Sequence, residues 1–233
     1  SIFPYQSQAQ SIRAGGSTDT DIIREGDRYI IRGRTLSNDE INLFHDLERF
    51  GLSAGEIAEF FAQPGVENIL TRVSGGSVSL INGLIEVSGA DANLFLMNPA
   101  GIIFGTEAVV NAPADFTATT ATGIGFESGW FSAIGDNDYA SLVGTPNRFA
   151  FGVTNPGTII NVGELVSGND LSLLGGTVVH IGTITALNDV MIASVPGENL
   201  VRISQPGNLL SLEIEPFGDT SLPNEWSLPI APL

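Results

Sequence analysis

The chain has 233 residues, no cysteine, and 9 basic against 26 acidic residues, giving a formal charge of −17 at pH 7. The basic residues are all Arg, with no Lys, so a surface that tracks nucleic-acid phosphates is excluded, as are disulfide scaffolds, thiolate metal sites and cysteine nucleophiles. With 42% hydrophobic and 15% charged residues, there is ample apolar material for a core, which excludes disorder as the main reading, and one large domain is favoured over two small ones.

No stretch approaches the roughly 18 apolar residues needed to span a bilayer, so stable membrane insertion is not expected. Ser1 to Gln10 has neither a basic nor an apolar leader region, compatible with a mature form whose signal has been removed and equally with a cytosolic start. Five of the nine Arg lie at or before Arg34, around Tyr29-Ile30-Ile31, and residues 1–72 read as the N-terminal segment and cap. Within residues 40–62, Leu43, Leu47 and Phe50 have helical spacing and Ser53-Ala54-Gly55-Glu56 fits a capping box, so local pattern alone predicts a helix there, interrupted by Gly51 and Gly55.

From Val73 onward short β-branched runs are closed by Gly, Asn or Pro: Val78-Ser79-Leu80-Ile81, Leu84-Ile85-Glu86-Val87, Ile102-Ile103-Phe104, Thr158-Ile159-Ile160 and Val190-Met191-Ile192 among them. Their spacing is periodic. Gly157 to Gly163 recurs nineteen residues later as Gly176 to Gly182, and Asn169-Asp170-Leu171 recurs at the same interval as Asn188-Asp189-Val190. A third pair, Gly83-Leu84-Ile85 and Gly101-Ile102-Ile103, suggests a step of eighteen. Short strands and tight turns at this period predict a β-solenoid over residues 73–215, with an insertion near 123–150 and a Pro-rich tail at 216–233. Alternation places Ile85 and Val87 inward with Glu86 in solvent, and likewise Val179 and Ile181 inward with His180 outward. Asn82, Asn98, Asn111, Asn155, Asn161, Asn169 and Asn188 are read as corner residues. Phe126, Trp130 and Phe131 in the insertion are read as cover for one face of the solenoid. His45 and His180 lack metal-ligand spacing, and His45 is read as a packed residue of the cap.

Several blocks carry a family resemblance: Asn42-Leu43-Phe44-His45 with Phe50; Asn68-Ile69; Arg72-Val73-Ser74-Gly75-Gly76; Ile81-Asn82-Gly83; and above all Ala92-Asn93-Leu94-Phe95-Leu96-Met97-Asn98-Pro99-Ala100-Gly101-Ile102-Ile103-Phe104-Gly105, continued by Ala118-Thr119-Thr120-Ala121. The chain resembles the N-terminal secretion domain of filamentous-haemagglutinin-like exoproteins, the TpsA partners of two-partner secretion. The resemblance implies an all-β fold, a right-handed parallel β-helix with an N-terminal β cap, and an extended course for residues 40–62. It also implies export through the periplasm and recognition by the POTRA modules of an Omp85-type outer-membrane TpsB transporter. The domain would then nucleate β-helix folding at the surface of a Gram-negative-type cell. The motif residues it singles out are Asn42, Leu43, Phe44, His45, Asn93, Asn98, Pro99, Gly101 and Ile102. Ala100 stands where the family usually has Asn, Asp46 where Ser is common, and an Asn-Pro-Asn-Leu motif has no counterpart beyond Gln63-Pro64-Gly65-Val66. Asn98 is weighed as a structural turn residue before a transporter contact.

Two other functional classes compete with an export signal. A surface adhesin would bind glycans or host protein along the solenoid face. A polysaccharide-active enzyme would need convergent carboxylates, and Asp136 with Asp138, or the corner residues Asp115, Asp170 and Asp189, read more simply as turn chemistry. A non-enzymatic, monomeric export domain without cofactor or metal is the expectation.

Overall fold

The structure is a computed structural model that describes residues 12–204 and 211–216. The expectations for Ser1 to Gln10 and for the tail beyond Pro216 lie outside the described residues. The described chain is built from β-strands, with one 3-10 turn at Tyr139–Ser141.

Three sheets wrap one elongated core, and each coil of chain visits them in turn. The first face stacks Asn42–Arg49, Asn68–Val73, Asn93–Met97, Phe116–Thr119, Leu171–Gly175 and Val190–Ser194 in parallel. The second stacks Ser79–Ile81, Ile102–Phe104, Thr158–Asn161 and Thr177–His180. The third runs from Arg28–Arg32 through Ile57–Phe61, Leu84–Ser88, Val109–Ala112 and Glu164–Ser167 to Thr183–Ala186. The fold is a parallel β-helix. Two antiparallel additions close its N-terminal end: Asp21–Glu25 on the third face and Arg13–Ala14 on the first. They occupy strand edges that would otherwise template aggregation. Parallel pairing starts at Arg28–Arg32 and Asn42–Arg49, so the coils begin well ahead of residue 73.

The nineteen-residue period is the register of the last two coils, where Ile159 pairs with Val178 and Leu171 with Val190. The eighteen-residue step is a coincidence. Leu84 stacks on Val109 and Ile102 on Ser79, so the two similar segments lie on different faces. Longer corners in these coils, such as Ser88 to Ala92 and Asn98 to Gly101, lengthen the repeat.

Residues 40–62 are extended, not helical. A spacing of four is a multiple of two as well as about one helical turn, so Leu43 and Leu47 share the inward side of a strand as readily as one face of a helix. The suspected capping box exists as an isolated turn: Ser53 N–H donates to Glu56 Oε2 (2.8 Å) and Glu56 N–H to the Ser53 carbonyl (3.1 Å).

The first face is buried on both sides, as unbroken burial along Asn68–Val73 shows. Inward side chains such as Leu43, Ile69, Leu94, Phe116 and Leu171 join the solenoid core. Outward ones, Phe44, Leu70, Phe95, Met97 and Leu174, form a second core under an antiparallel sheet. That sheet takes Gly123–Gly125, Trp130–Ser132 and Arg148–Phe151 from the insertion, and Asn199–Ser204 and Ser211–Pro216 from beyond the last coil. Asn199–Ser204 and Ser211–Pro216 therefore cover the solenoid instead of forming a further coil. Phe126 and Phe131 are fully buried beneath this cover, and Trp130 is partly exposed.

The inward assignment at the last coil is reversed. Val178 packs on the core, whereas Val179 and Ile181 face solvent, Ile181 being 76% exposed. His180 stacks on the inward Asn161 and its Nδ1 lies 3.1 Å from Asn161 Nδ2. Register with the coil below decides the parity, through Ile159 and Asn161, both wholly buried.

Candidate functional site

The motif residues fall into two corner structures and one interior cluster. The first corner opens the first face. Asn68 Nδ2 donates to Asn42 Oδ1 (2.8 Å) and Asn93 Nδ2 to Asn68 Oδ1 (2.9 Å), and the ladder continues as backbone N–H groups of Asp115, Asp170 and Asp189 donate to Asn93, Asp115 and Asp170 in turn. Asn42 tops this column and donates to the carbonyls of Leu142 and Gly144, both at 2.9 Å, which ties the cover sheet's loop to the solenoid. Each amide satisfies a neighbour that would otherwise be a buried unpaired polar group.

The second corner joins the first face to the second at Asn98-Pro99-Ala100-Gly101. Asn98 is fully buried. Its Nδ2 donates to the Ser77 carbonyl (3.0 Å) and Ser79 Oγ (2.9 Å), its Oδ1 accepts from Ala100 N–H (3.0 Å), and its carbonyl accepts from Gly101 N–H (3.0 Å). Gly101 adopts φ of 125°, and a Cβ there would sit 3.1 Å from the Thr158 carbonyl of the next coil. The position therefore requires glycine. The residue at position 100 supplies a backbone N–H to the turn, which Ala provides as well as Asn; the departure at this position leaves the corner intact. Ile102 follows at once into the core, wholly buried.

Leu43 and Phe44 lie back to back in the two cores. Phe44 stacks against Phe131 and Tyr139 of the insertion, with ring centroids 5.3 and 5.2 Å apart. His45 is fully buried and points inward, 6.1 Å from the Phe60 ring. Its Nδ1 lies 2.9 Å from Thr20 Oγ1 of the cap, while Nε2 has no partner among the described residues; the hydroxyl of Thr71, on the next rung, is likewise unpartnered. Burial pushes the His45 imidazole down to about 4, against the opposing charge of Asp19.

Beside this cluster lies an ion pair absent from the motif residues. Arg72 Nε donates to Asp46 Oδ1 at 3.0 Å, with both side chains buried. Arg72 also donates to the carbonyls of Ser132 (2.7 Å) and Gly135 (2.8 Å) and to Ser17 Oγ (2.8 Å), and Ser17 Oγ reaches Tyr139 Oη at 2.7 Å. Cap, solenoid and insertion meet here. Burial, which would raise the Asp46 carboxyl, is outweighed by hydrogen bonds from Ser74, Arg72 and Ser17 and by the charge of Arg72, which hold it below the usual carboxylate range. Asp46, standing where the family often has Ser, is the counter-ion of Arg72. The sequence signal was an acid and a base on strands that the repeat would stack; without the register, their pairing was not visible.

The structure thus brings Asn42 and Asn93 into one ladder, through Asn68, and Asn98, Pro99, Gly101 and Ile102 into one corner. These are separate places. Asn93 and Pro99 are partly exposed, and the other motif residues are buried. The carboxylates Asp136 and Asp138 lie exposed on the insertion loop. No helix among the described residues is long and apolar enough to cross a membrane.

Comparison with known proteins agrees with this architecture. The family model of the TPS secretion domain matches residues 9–221. The chain belongs to that family of secretion domains. Among solved structures, the HMW1 secretion domain of Haemophilus influenzae superposes with a TM-score of 0.61 at 20% identity, over 88% of this chain and 48% of that one. The chain therefore spans about half of that structure's length. No curated protein sequence matches it.

Proposed function

We propose that this domain is the export address of a longer exoprotein, read by POTRA modules of an Omp85-type outer-membrane transporter, and that it seeds folding of the downstream chain at the cell surface as a single copy. The observation that carries this reading is the end of the stack. Thr177–His180, Thr183–Ala186 and Val190–Ser194 are each the last strand of their parallel ladder, and Ile181, Leu187, Val190 and Ile192 stand exposed beside them, Leu187 at 76%. Edges that take no further strand among the described residues, over an apolar cross-section, suit the stacking of a further coil.

Burial of the motif residues supports recognition before folding. A transporter cannot touch Asn42, Asn98 or Ile102 once the coils have closed, so the extended chain is the form in which these side chains are available. An extended segment can add as a strand to a POTRA sheet edge, a mode in which backbone pairing supplies affinity. Catalysis has no part in this function.

The test is release. The domain, carried behind a signal peptide, is co-expressed with its neighbouring transporter, and the medium is assayed with and without that transporter. Release only with the transporter is expected; retention of folded domain in both cases would overturn the reading. Binding of isolated POTRA modules to urea-unfolded domain, and not to the folded one, is the matching expectation for recognition before folding.

A further inference from the structure

The segment from Ile12 to Thr20 closes the mouth of the solenoid with little apolar contact. Ile12 is its only side chain in the solenoid core, and its strand, Arg13–Ala14, has two residues. Polar contacts at three places hold the rest. Gly15 N–H donates to the Asp46 carbonyl (2.8 Å), and Ser17 donates to Asp46 Oδ2 through its N–H (3.1 Å) and its hydroxyl (2.8 Å). The Asp19 carboxylate accepts from the N–H groups of Arg34 and Thr35, both at 2.8 Å, and from the Thr35 hydroxyl (2.7 Å). The third place is Thr20 on His45.

The His45 ring is sealed inside the first coil. Phe60 lies against it, a Cβ on Gly33 would stand 3.4 Å from its Cε1, and Thr71 occupies the next rung. None of these neighbours carries a charge. Asp46 and Arg72, on the outward side of their strands, pair with each other, and Asp19 is the one charged group among the described residues that acts on the ring. The hydrogen bonds around it form one relay when His45 is neutral with its proton on Nε2. Asp46 N–H donates to Thr18 Oγ1 (3.0 Å), Thr18 Oγ1 lies 2.8 Å from Thr20 Oγ1, and Thr20 Oγ1 lies 2.9 Å from His45 Nδ1. Each hydroxyl then accepts once and donates once, and the relay ends on the bare Nδ1. A second proton on the ring breaks this arrangement. Nδ1–H would face a hydroxyl hydrogen, and a full charge would be buried with Nε2 still unpartnered.

We propose that His45 is an acid-operated latch on the N-terminal cap: its protonation frees residues 12–20 from the mouth of the solenoid and leaves the Asn42–Arg49 edge without its antiparallel strand, while the coils stay folded. The neighbouring carboxylates keep their charge in the same range. Burial, which would raise the Asp19 carboxyl, is outweighed by hydrogen bonds from Arg34 and Thr35, and Asp46 is likewise held low. The His45 ring titrates near 4 while the cap is closed and near 6.5 as an unperturbed group, so its contribution to closure is complete above about pH 6.5 and is lost as pH falls toward 4.

The latch does not depend on the export reading. Its test is native-state hydrogen exchange of the folded domain at pH 7 and pH 4.5, corrected for intrinsic rates and read at the amides of Gly15, Ser17 and Asp19. Opening there should become on the order of tenfold to a hundredfold more favourable at the lower pH, as the two ends of the His45 titration require. At both pH values it should remain easier than opening at Asn93–Met97. His45→Leu has no proton to take and should abolish the pH response, whereas Asp19→Asn should keep it. Should a variant fail to fold, the wild type still decides: the Cε1 proton of His45, followed by NMR, should titrate well below free histidine. A midpoint at or above that of free histidine, an unchanged pH response in His45→Leu, its loss in Asp19→Asn, or cap amides that open only together with Asn93–Met97 would each overturn the latch.

Discussion

Asn42 and Asn98 are both asparagines at strand corners, yet they hold different partners. Asn98 serves its own turn and the preceding coil's Ser79, whereas Asn42 reaches across to the insertion. Replacing Asn98 with Ala removes two donated bonds and one accepted bond in a fully buried place, and a loss of about 2 to 4 kcal/mol is expected from the urea midpoint. His45 is the other residue whose burial has a measurable consequence. Its imidazole titrates near 4 when folded and near 6.5 as an unperturbed group, so between these values the unfolded chain binds the proton and the folded one does not. Stability from this residue is complete above about pH 6.5 and is lost as pH falls toward 4. Urea midpoints at pH 7 and pH 4.5 should therefore separate more for the wild type than for His45→Leu, which has nothing to titrate at this position.

Among elements, the last two coils were legible from sequence because their corners are short and equal, so that the same residues recur at the interval at which they stack. The earlier coils were not. Corners of unequal length around Gly89 and Asn98 broke the period, and a chance likeness between Leu84-Ile85 and Ile102-Ile103 suggested a false one. Leu94-Phe95-Leu96-Met97 has no alternation because its strand is buried on both sides, and only the cover sheet explains that pattern. The same cover explains why Asp46 and Arg72 escaped notice: their pairing depends on parallel register and their burial on the insertion. Removing Arg72 as Met leaves the Asp46 carboxylate buried without its counter-ion, and a loss of about 3 to 5 kcal/mol is expected. Arg72→Met combined with Asp46→Leu should cost less than the sum of the single changes. A double-mutant cycle by urea denaturation reads this directly, and strict additivity would show that the two side chains do not act as a pair.

For the whole molecule, a solenoid has no single centre. Each coil is held by its two neighbours, so stability varies along the axis and not from surface to core. The N-terminal end is closed by antiparallel strands and by the Ser17, Asp46, Arg72 and Tyr139 network. The middle coils pair above and below, and lie under the cover sheet as well. The last coil pairs on one side within the described chain, and its strands alternate between exposed and half-buried residues. Native-state hydrogen exchange should therefore give a graded profile. Amides of Asn68–Val73, Asn93–Met97 and Phe116–Thr119 should open only with global unfolding, and those of Thr177–His180 and Thr183–Ala186 at a smaller free energy. Val190–Ser194 should fall between, because Met191 and Ala193 reach the second core. If a longer chain then stacks a coil on this end, protection should rise in the last coil first and leave the middle coils unchanged. Uniform protection along the axis would mean that the domain unfolds as one unit, and the open coil would then be no weaker than the rest and no special template for a coil added after it.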